Sequence, residues 1–508
     1  MSVEKFYKDT FILTVSNIFT GILGFIFTII LSRRLGTEGL GLYGLITPIY
    51  GLLLCLVADG LVTAISKTSA VYFGKKDYKN LRRTVSTTFS FILFYSFTIA
   101  FIVLINSSFI SRYIIKDARS SLALAILCPA IVFVPLSAIM KGYYYGTGKF
   151  KIAAAIDIFE KFIRVLVFIS ITGVLALQSI KSNVSAAFCA LTIGEAISFS
   201  LLYFFFKRLN RQSVVTVSRI QSRPQLLVNV LKISLPLCLS GIVTSILAAC
   251  TALILPRRLM HAGFQYHTAL SLIGKFNGMS LTITCLPLII IGSLSTVLVP
   301  DLSVSLSSKK YADTEKRISQ VFKIALLTGV SSFIIIQSMP DILGRLFYNR
   351  PDLGGYISFA SISTFLVFIS SPTYGILNGL GKQKTLLRNS ILTSVIELVS
   401  TYILAGIPSV NIYAVGITII ISSIVSIILN TYEIRKLCPI KMPVKEVVSC
   451  FASGILIYLT LKTIGKWLPD SLMIFKGMII GGVGLTLILY FNGLLNRITS
   501  QIFKKSAH

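Results

Sequence analysis

Residues 152–177 read IAAAIDIFEKFIRVLVFISITGVLAL, an apolar run long enough to cross a bilayer yet interrupted by Asp157, Glu160, Lys161 and Arg164. Their mutual spacings are three and four residues, so one face of a helix carries all four. Counting from Lys151 at about 1.5 Å per residue, Glu160 lies ~13 Å and Arg164 ~20 Å into a hydrocarbon core ~30 Å thick. Charge at that depth is costly unless it faces a protein interior or a wet cavity. The stretch predicts an all-α membrane protein with a polar interior.

The rest of the chain agrees. Over 508 residues, 54% are hydrophobic and only 13% charged, with a mean hydropathy of +0.84. A soluble protein of this size needs more polar cover. The formal charge of +30 sits in short connections between apolar runs, a placement that topology and anionic lipid explain and nucleic acid does not. Eight scattered cysteines show no metal-ligand spacing and read as reduced packing residues. His261, His267 and His508 form no ligand set, although the first two share a loop, so neither a metal nor a cofactor is expected. Walker A, G-x-S-x-G and H-E-x-x-H patterns are all missing, which argues against an enzyme. Energy for any transport would come from an ion gradient, the membrane potential or downstream consumption.

Apolar runs predict about fourteen spans: 10–31, 41–66, 85–107, 120–140, 152–177, 184–206, 229–255, 276–300, 320–340, 356–378, 386–406, 411–432, 446–465 and 472–495. The first leads into Arg33-Arg34 without a cleavage site and reads as an uncleaved span. Lys and Arg concentrate in alternate connections, so the positive-inside rule places both termini in the cytoplasm. The polar stretch from Lys207 to Gln225 divides the chain. It predicts a bundle over 1–206, a linker over 207–228, a second bundle over 229–432, and two extra helices with a tail over 433–508.

An internal repeat supports that division. Gly146-Thr-Gly148-Lys149-Phe-Lys151 recurs 233 residues later as Gly379-Leu-Gly381-Lys382-Gln-Lys384. Arg33-Arg34-Leu35 recurs as Arg257-Arg258-Leu259, 224 residues later, and Lys75-Lys76 with Arg83 as Lys309-Lys310 with Arg317, 234 residues later. The alternative is that glycine-basic loops arise independently at tight turns. A true repeat implies two pseudo-symmetric six-helix bundles around a central cavity.

The buried polar residues carry the functional expectations. Glu160→Arg164 and Asp157→Lys161 have the favourable acid-to-base order for pairing. Because the stripe is formally neutral, it reads either as a structural network or as a cavity wall offering Lys161 and Arg164 to an anionic substrate. The repeat places Glu397 opposite Arg164 in sequence. Glu195 and Asp59, both at membrane depth, read as cation or proton sites or as partners of a buried base. Arg33, Arg34, Arg257 and Arg258 read as snorkelling side chains or as a basic ring binding phosphate at the outer mouth. Lys141 precedes Tyr143, Tyr144 and Tyr145, an aromatic belt or a surface for stacking on sugars.

Several stretches together resemble the stage V sporulation protein B family. They are Leu23-Gly24-Phe25, Leu31-Ser-Arg33-Arg34-Leu35-Gly36, Glu38-Gly39, Gly41-Leu42-Tyr43, Ala64-Ile65-Ser66-Lys67, Lys141-Gly142-Tyr143 with Tyr145-Gly146, the Glu160/Arg164 pair and Gly194-Glu195. That family lies within the superfamily of multidrug, oligosaccharidyl-lipid and polysaccharide exporters. The resemblance implies two bundles around a V-shaped cavity and rocking alternating access. It also implies export of an undecaprenyl-linked glycan, a peptidoglycan precursor for spore cortex or cell wall, across the cytoplasmic or forespore membrane. Membrane lipids and cell-wall enzymes would be partners. One departure stands out: related lipid II flippases carry arginines within their first two spans, and residues 10–32 and 41–66 here hold no base. Lys161, Arg164, Lys141 and Arg257 are the candidates left to meet a pyrophosphate. A cation-coupled multidrug exporter using Glu195, Asp59 or Glu397, and a non-transporting scaffold, remain as alternatives.

Overall fold

The computed structural model describes residues 3–174, 179–210, 221–293, 302, 311–437, 444–467 and 482–483. They are helical throughout, with no strand among them. In the first unit, Met1–Gly274, the helices are α1 (Val3–Val57), α2 (Leu61–Gly74), α3 (Tyr78–Ile105), α4 (Ser120–Gly146), α5 (Phe150–Val174), α6 (Ile180–Asn210), α7 (Arg223–His261) and the short α8 (Tyr266–Ile273). In the second unit, Lys275–His508, they are α9 (Leu281–Cys285), α10 (Tyr311–Ser338), α11 (Pro340–Tyr348), α12 (Gly354–Gly379), α13 (Gln383–Leu404), α14 (Tyr413–Arg435) and α15 (Val444–Trp467).

Eight described helical segments are long and apolar enough to cross a membrane by themselves. Helix α5 has the length at 25 residues but carries the four charges. The expected last span, 472–495, lies outside the described residues except for 482–483. Residues 211–220 of the expected linker are also outside them, and α7 belongs to the first unit, which runs to Gly274.

Two backbone breaks shape α1 and α2. Gly36, at φ 68° and ψ −173°, kinks α1 between the first two expected spans. The second break falls inside an expected span: the helix stops at Val57 and resumes at Leu61, with Gly60 left-handed at φ 75°. A Cβ on Gly60 would press on the Ser234 carbonyl and Leu237 of α7, so glycine serves both the turn and the close approach. Broken helices at membrane depth are tolerated where they line a cavity or are covered by protein.

Around these breaks the first unit packs an apolar core that includes Ile65, Leu81, Val85, Ile139 and Tyr144. Helix α4 lies against α2, α3 and α6, and the Tyr144 hydroxyl donates to the Leu202 carbonyl of α6 at 2.7 Å. The second unit has its own core, including Ile318, Phe322, Ile376, Leu377 and Ile434. The end of α4 and the end of α12 close identically. Gly148 and Gly381 both sit at φ 72°. Lys149 N donates to Tyr144 O and Lys382 N to Leu377 O, a pair of hydrogen bonds that repeats at the offset of the sequence motif.

Candidate functional site

Helix α5 packs against α6 and α1, and its charged face meets other charges there. The Arg164 guanidinium donates to Glu160 one turn before it, and at 3.1 Å to Glu195 on α6. Lys161 Nζ lies 3.0 Å from the other Glu160 oxygen. Asp157 pairs with Lys141 of α4 at 2.6 Å, not with Lys161 as the helical spacing predicts. Six candidate residues thus form two neighbouring networks tying α4, α5 and α6.

Glycine makes room for one of them. A Cβ on Gly194 would stand 2.9 Å from Glu160 Oε1, so the residue before Glu195 lets the α5 carboxylate close onto α6. The Arg164 side chain is only 12% exposed and Glu160 5%, whereas Lys161 is 32% exposed and Lys141 24%. The two lysines are thus the more accessible bases of the two networks.

Beside this network lies a cavity of about 340 Å³ lined by Asp59, Ser137, Lys141 and Glu195 among apolar side chains such as Val62 and Val134. Asp59 enters it from the α1–α2 break, where its Oδ1 accepts the Gly60 N–H at 2.9 Å. Among the described residues no base pairs with Asp59. Asp59 and Glu195, both expected at membrane depth, therefore share one cavity wall with Lys141, expected just past the end of span four. Glu397 sits half-buried on α13 of the second unit, without an ion-pair partner among the described residues.

The arginine pairs lie apart from this cavity. Arg33 and Arg34 are exposed at the end of the first span, and Arg257 donates to the Ile114 carbonyl at 2.9 Å. Arg258 is half-buried on α7. Nearby, sequence reasoning missed a cluster. Glu38 accepts from Arg119 at 2.6 Å and lies 2.6 Å from His267; Arg119 also binds Asp117, whose carboxylate accepts from the Tyr266 hydroxyl at 3.2 Å. Burial works against the Asp117 charge, but hydrogen bonds and charge from Arg119 outweigh it and hold this carboxyl below its ordinary range. The only sequence signal was the polar turn Lys116-Asp117-Ala118-Arg119 between two apolar runs.

A bundle of apolar helices with ion pairs inside it defines a multi-pass membrane protein. Residues 6–306 match the model of a family described as polysaccharide biosynthesis protein, and residues 283–483 match a second model of the same description; the chain belongs to that family. Among curated relatives, stage V sporulation protein B of Bacillus subtilis (strain 168) is 25% identical, covering 89% of this chain and 88% of its own. Lipid II flippase MurJ of the same organism is 21% identical over 78% of this chain and 76% of its own.

Two solved structures give the architecture. Lipid II flippase MurJ in an inward closed conformation superposes with a TM-score of 0.68 at 14% identity, covering 96% of this chain and 99% of that one. An inward-facing multidrug resistance MATE family transporter of the MOP superfamily gives 0.67 at 18%, covering 82% and 95%. The fold is that of MOP superfamily transporters, as the resemblance to the stage V sporulation protein B family implied.

Proposed function

We propose that this protein is an alternating-access flippase that moves an undecaprenyl-linked oligosaccharide, of the peptidoglycan-precursor type, across the cytoplasmic membrane with both termini in the cytoplasm. The polar head crosses through the protein interior while the polyprenyl tail stays in lipid. The observation that carries this reading is the Glu160–Arg164–Glu195 network, ion-paired at membrane depth in a chain of the polysaccharide biosynthesis family. Keeping three charges there is worthwhile only for a wet, polar route or for rigid positioning beside one.

Within this reading the roles divide by exposure. Lys161 and Lys141, the more accessible bases, meet the anionic diphosphate, and Arg164, clamped between two carboxylates, fixes the geometry of the wall. The named relative with lipid II flippase activity supports the substrate class, and the family description supports a glycan. The test is a reconstituted flipping assay with a fluorescent polyprenyl-diphosphate glycan. Replacing Arg164 by Ala is expected to abolish translocation while membrane insertion persists; undiminished flipping removes Arg164 from the mechanism.

A further inference from the structure

The charges around the first-unit cavity do not balance. Its wall and the adjoining network hold four acids, Asp59, Asp157, Glu160 and Glu195, against three bases, Lys141, Lys161 and Arg164. Every base is engaged: Lys141 by Asp157, Lys161 by Glu160, and Arg164 by Glu160 and Glu195. Asp59 alone is left with only its own turn's N–H, and it faces the cavity. Asp59 is exposed at this wall, so its unpaired charge is open to a cation from outside the chain.

A second, independent feature lies in the same wall. Ser137 is 2% exposed and lines the cavity, yet its hydroxyl has no hydrogen-bond partner. Helical serines and threonines ordinarily bond back to the carbonyl one turn earlier. Thr147 on the same helix does so, donating to Tyr143 O at 2.9 Å. An orphaned buried hydroxyl costs free energy unless something outside the chain completes it.

We propose that this cavity binds a primary ammonium group, which deepens the flippase reading by requiring that the transported head carry a free amine. An –NH₃⁺ presents three donors and one positive charge. The wall offers acceptors of matching number: the Asp59 carboxylate, the Glu195 carboxylate and the Ser137 hydroxyl. A volume of about 340 Å³ holds an amine with the short chain that bears it. The donor set fits a hard metal ion less well. Calcium and magnesium take about six or more oxygens, and no group of three or more His, Cys, Asp or Glu suited to a metal occurs among the described residues. Lys141 sets the specificity, since its charge beside Asp157 repels a second positive centre and favours a compact monocation.

The measurement is the melting temperature of the purified full chain in neutral detergent, titrated with hexylammonium chloride, hexyltrimethylammonium chloride or sodium chloride. Hexylammonium is expected to stabilise the protein at concentrations where the other two do not, because neither a trimethylated head nor sodium donates hydrogen bonds. Asp59→Asn is expected to raise the half-saturating concentration by about tenfold or more, and Ser137→Ala by less. Equal stabilisation by the trimethylated cation or by sodium overturns the assignment to an ammonium group, as does an unchanged titration in the variants. Should Asp59→Asn fail to fold, Ser137→Ala decides. The titration involves no transport, so its failure is distinct from a failure of the flipping assay.

Discussion

Helices α5 and α13 occupy matching places in the repeat and solve the problem of polarity inside a membrane protein differently. At the offset of the glycine-basic motif, Asp157, Glu160, Lys161 and Arg164 correspond to Ser390, Thr393, Ser394 and Glu397, and Lys141 corresponds to Tyr374. The first helix builds ion pairs to its neighbours. Apart from one ion pair near its start, Arg388 to Glu433 at 3.4 Å, the second lies among neutral groups: Asn389 donates to Asn430 at 2.9 Å, Asn430 to Thr373 at 2.8 Å, and Ser426 to the Tyr374 hydroxyl at 3.0 Å. Amides and hydroxyls satisfy one another locally and ask nothing of a ligand. Charges in surplus do ask for one, which is why substrate contact is proposed in the first unit.

The comparison breaks most visibly at position 160. Glu160→Ala leaves Lys161 with no carboxylate and Arg164 with Glu195 alone. Removing one partner of a buried pair costs about 3–5 kcal/mol. The matching change, Thr393→Val, deletes a hydroxyl that donates only to backbone within its own helix, Asn389 O at 3.0 Å, and is expected to cost about 1 kcal/mol or less. Unfolding in mixed micelles compares the two. Similar losses would mean that the ion pairs contribute no more than ordinary helix packing.

A smaller effect sharpens the role of the network. Gly194→Ala sets a methyl 2.9 Å from Glu160 Oε1 and 3.6 Å from Arg164 Cβ. The carboxylate end can give way, so stability should fall by only about 1–2 kcal/mol. Its geometry with Arg164 cannot be kept, and flipping in the reconstituted assay should fall further than stability does. Full transport by Gly194→Ala would show that the wall tolerates a displaced Glu160.

Physical range explains what the sequence made legible. Apolar runs and helical spacing are local, so the all-helical membrane character and the charged face of α5 were readable, and Glu160 does pair with Arg164 one turn away. Partner choice across helices is not local. Asp157 had a suitable base four residues on, yet Lys141 of α4 takes it because the packing of that helix brings its ammonium to 2.6 Å. The break at Asp59-Gly60 was hidden inside an apolar run, since its left-handed turn is fixed by the approach of α7 around Ser234 and Leu237. The Glu38–Arg119–Asp117–Tyr266 cluster gathers three distant segments and leaves no periodicity to find.

The finest test of the repeat uses its two glycines. Gly148 and Gly381 share φ 72°, have no atom within 4 Å of a would-be Cβ, and follow the same pattern of capping hydrogen bonds. Alanine at either place meets no clash and pays only for the left-handed backbone, about 1 kcal/mol. The two losses should agree within about 0.5 kcal/mol and add in the double variant, because the two caps share no hydrogen-bond partner. Both costs depend on the caps alone and not on the charges that distinguish α5 from α13. Equal costs would therefore mean that the halves retain one backbone solution while their interiors have diverged. A clear inequality would mean that one cap is held by its surroundings, and the correspondence of Arg164 with Glu397 would lose its structural footing.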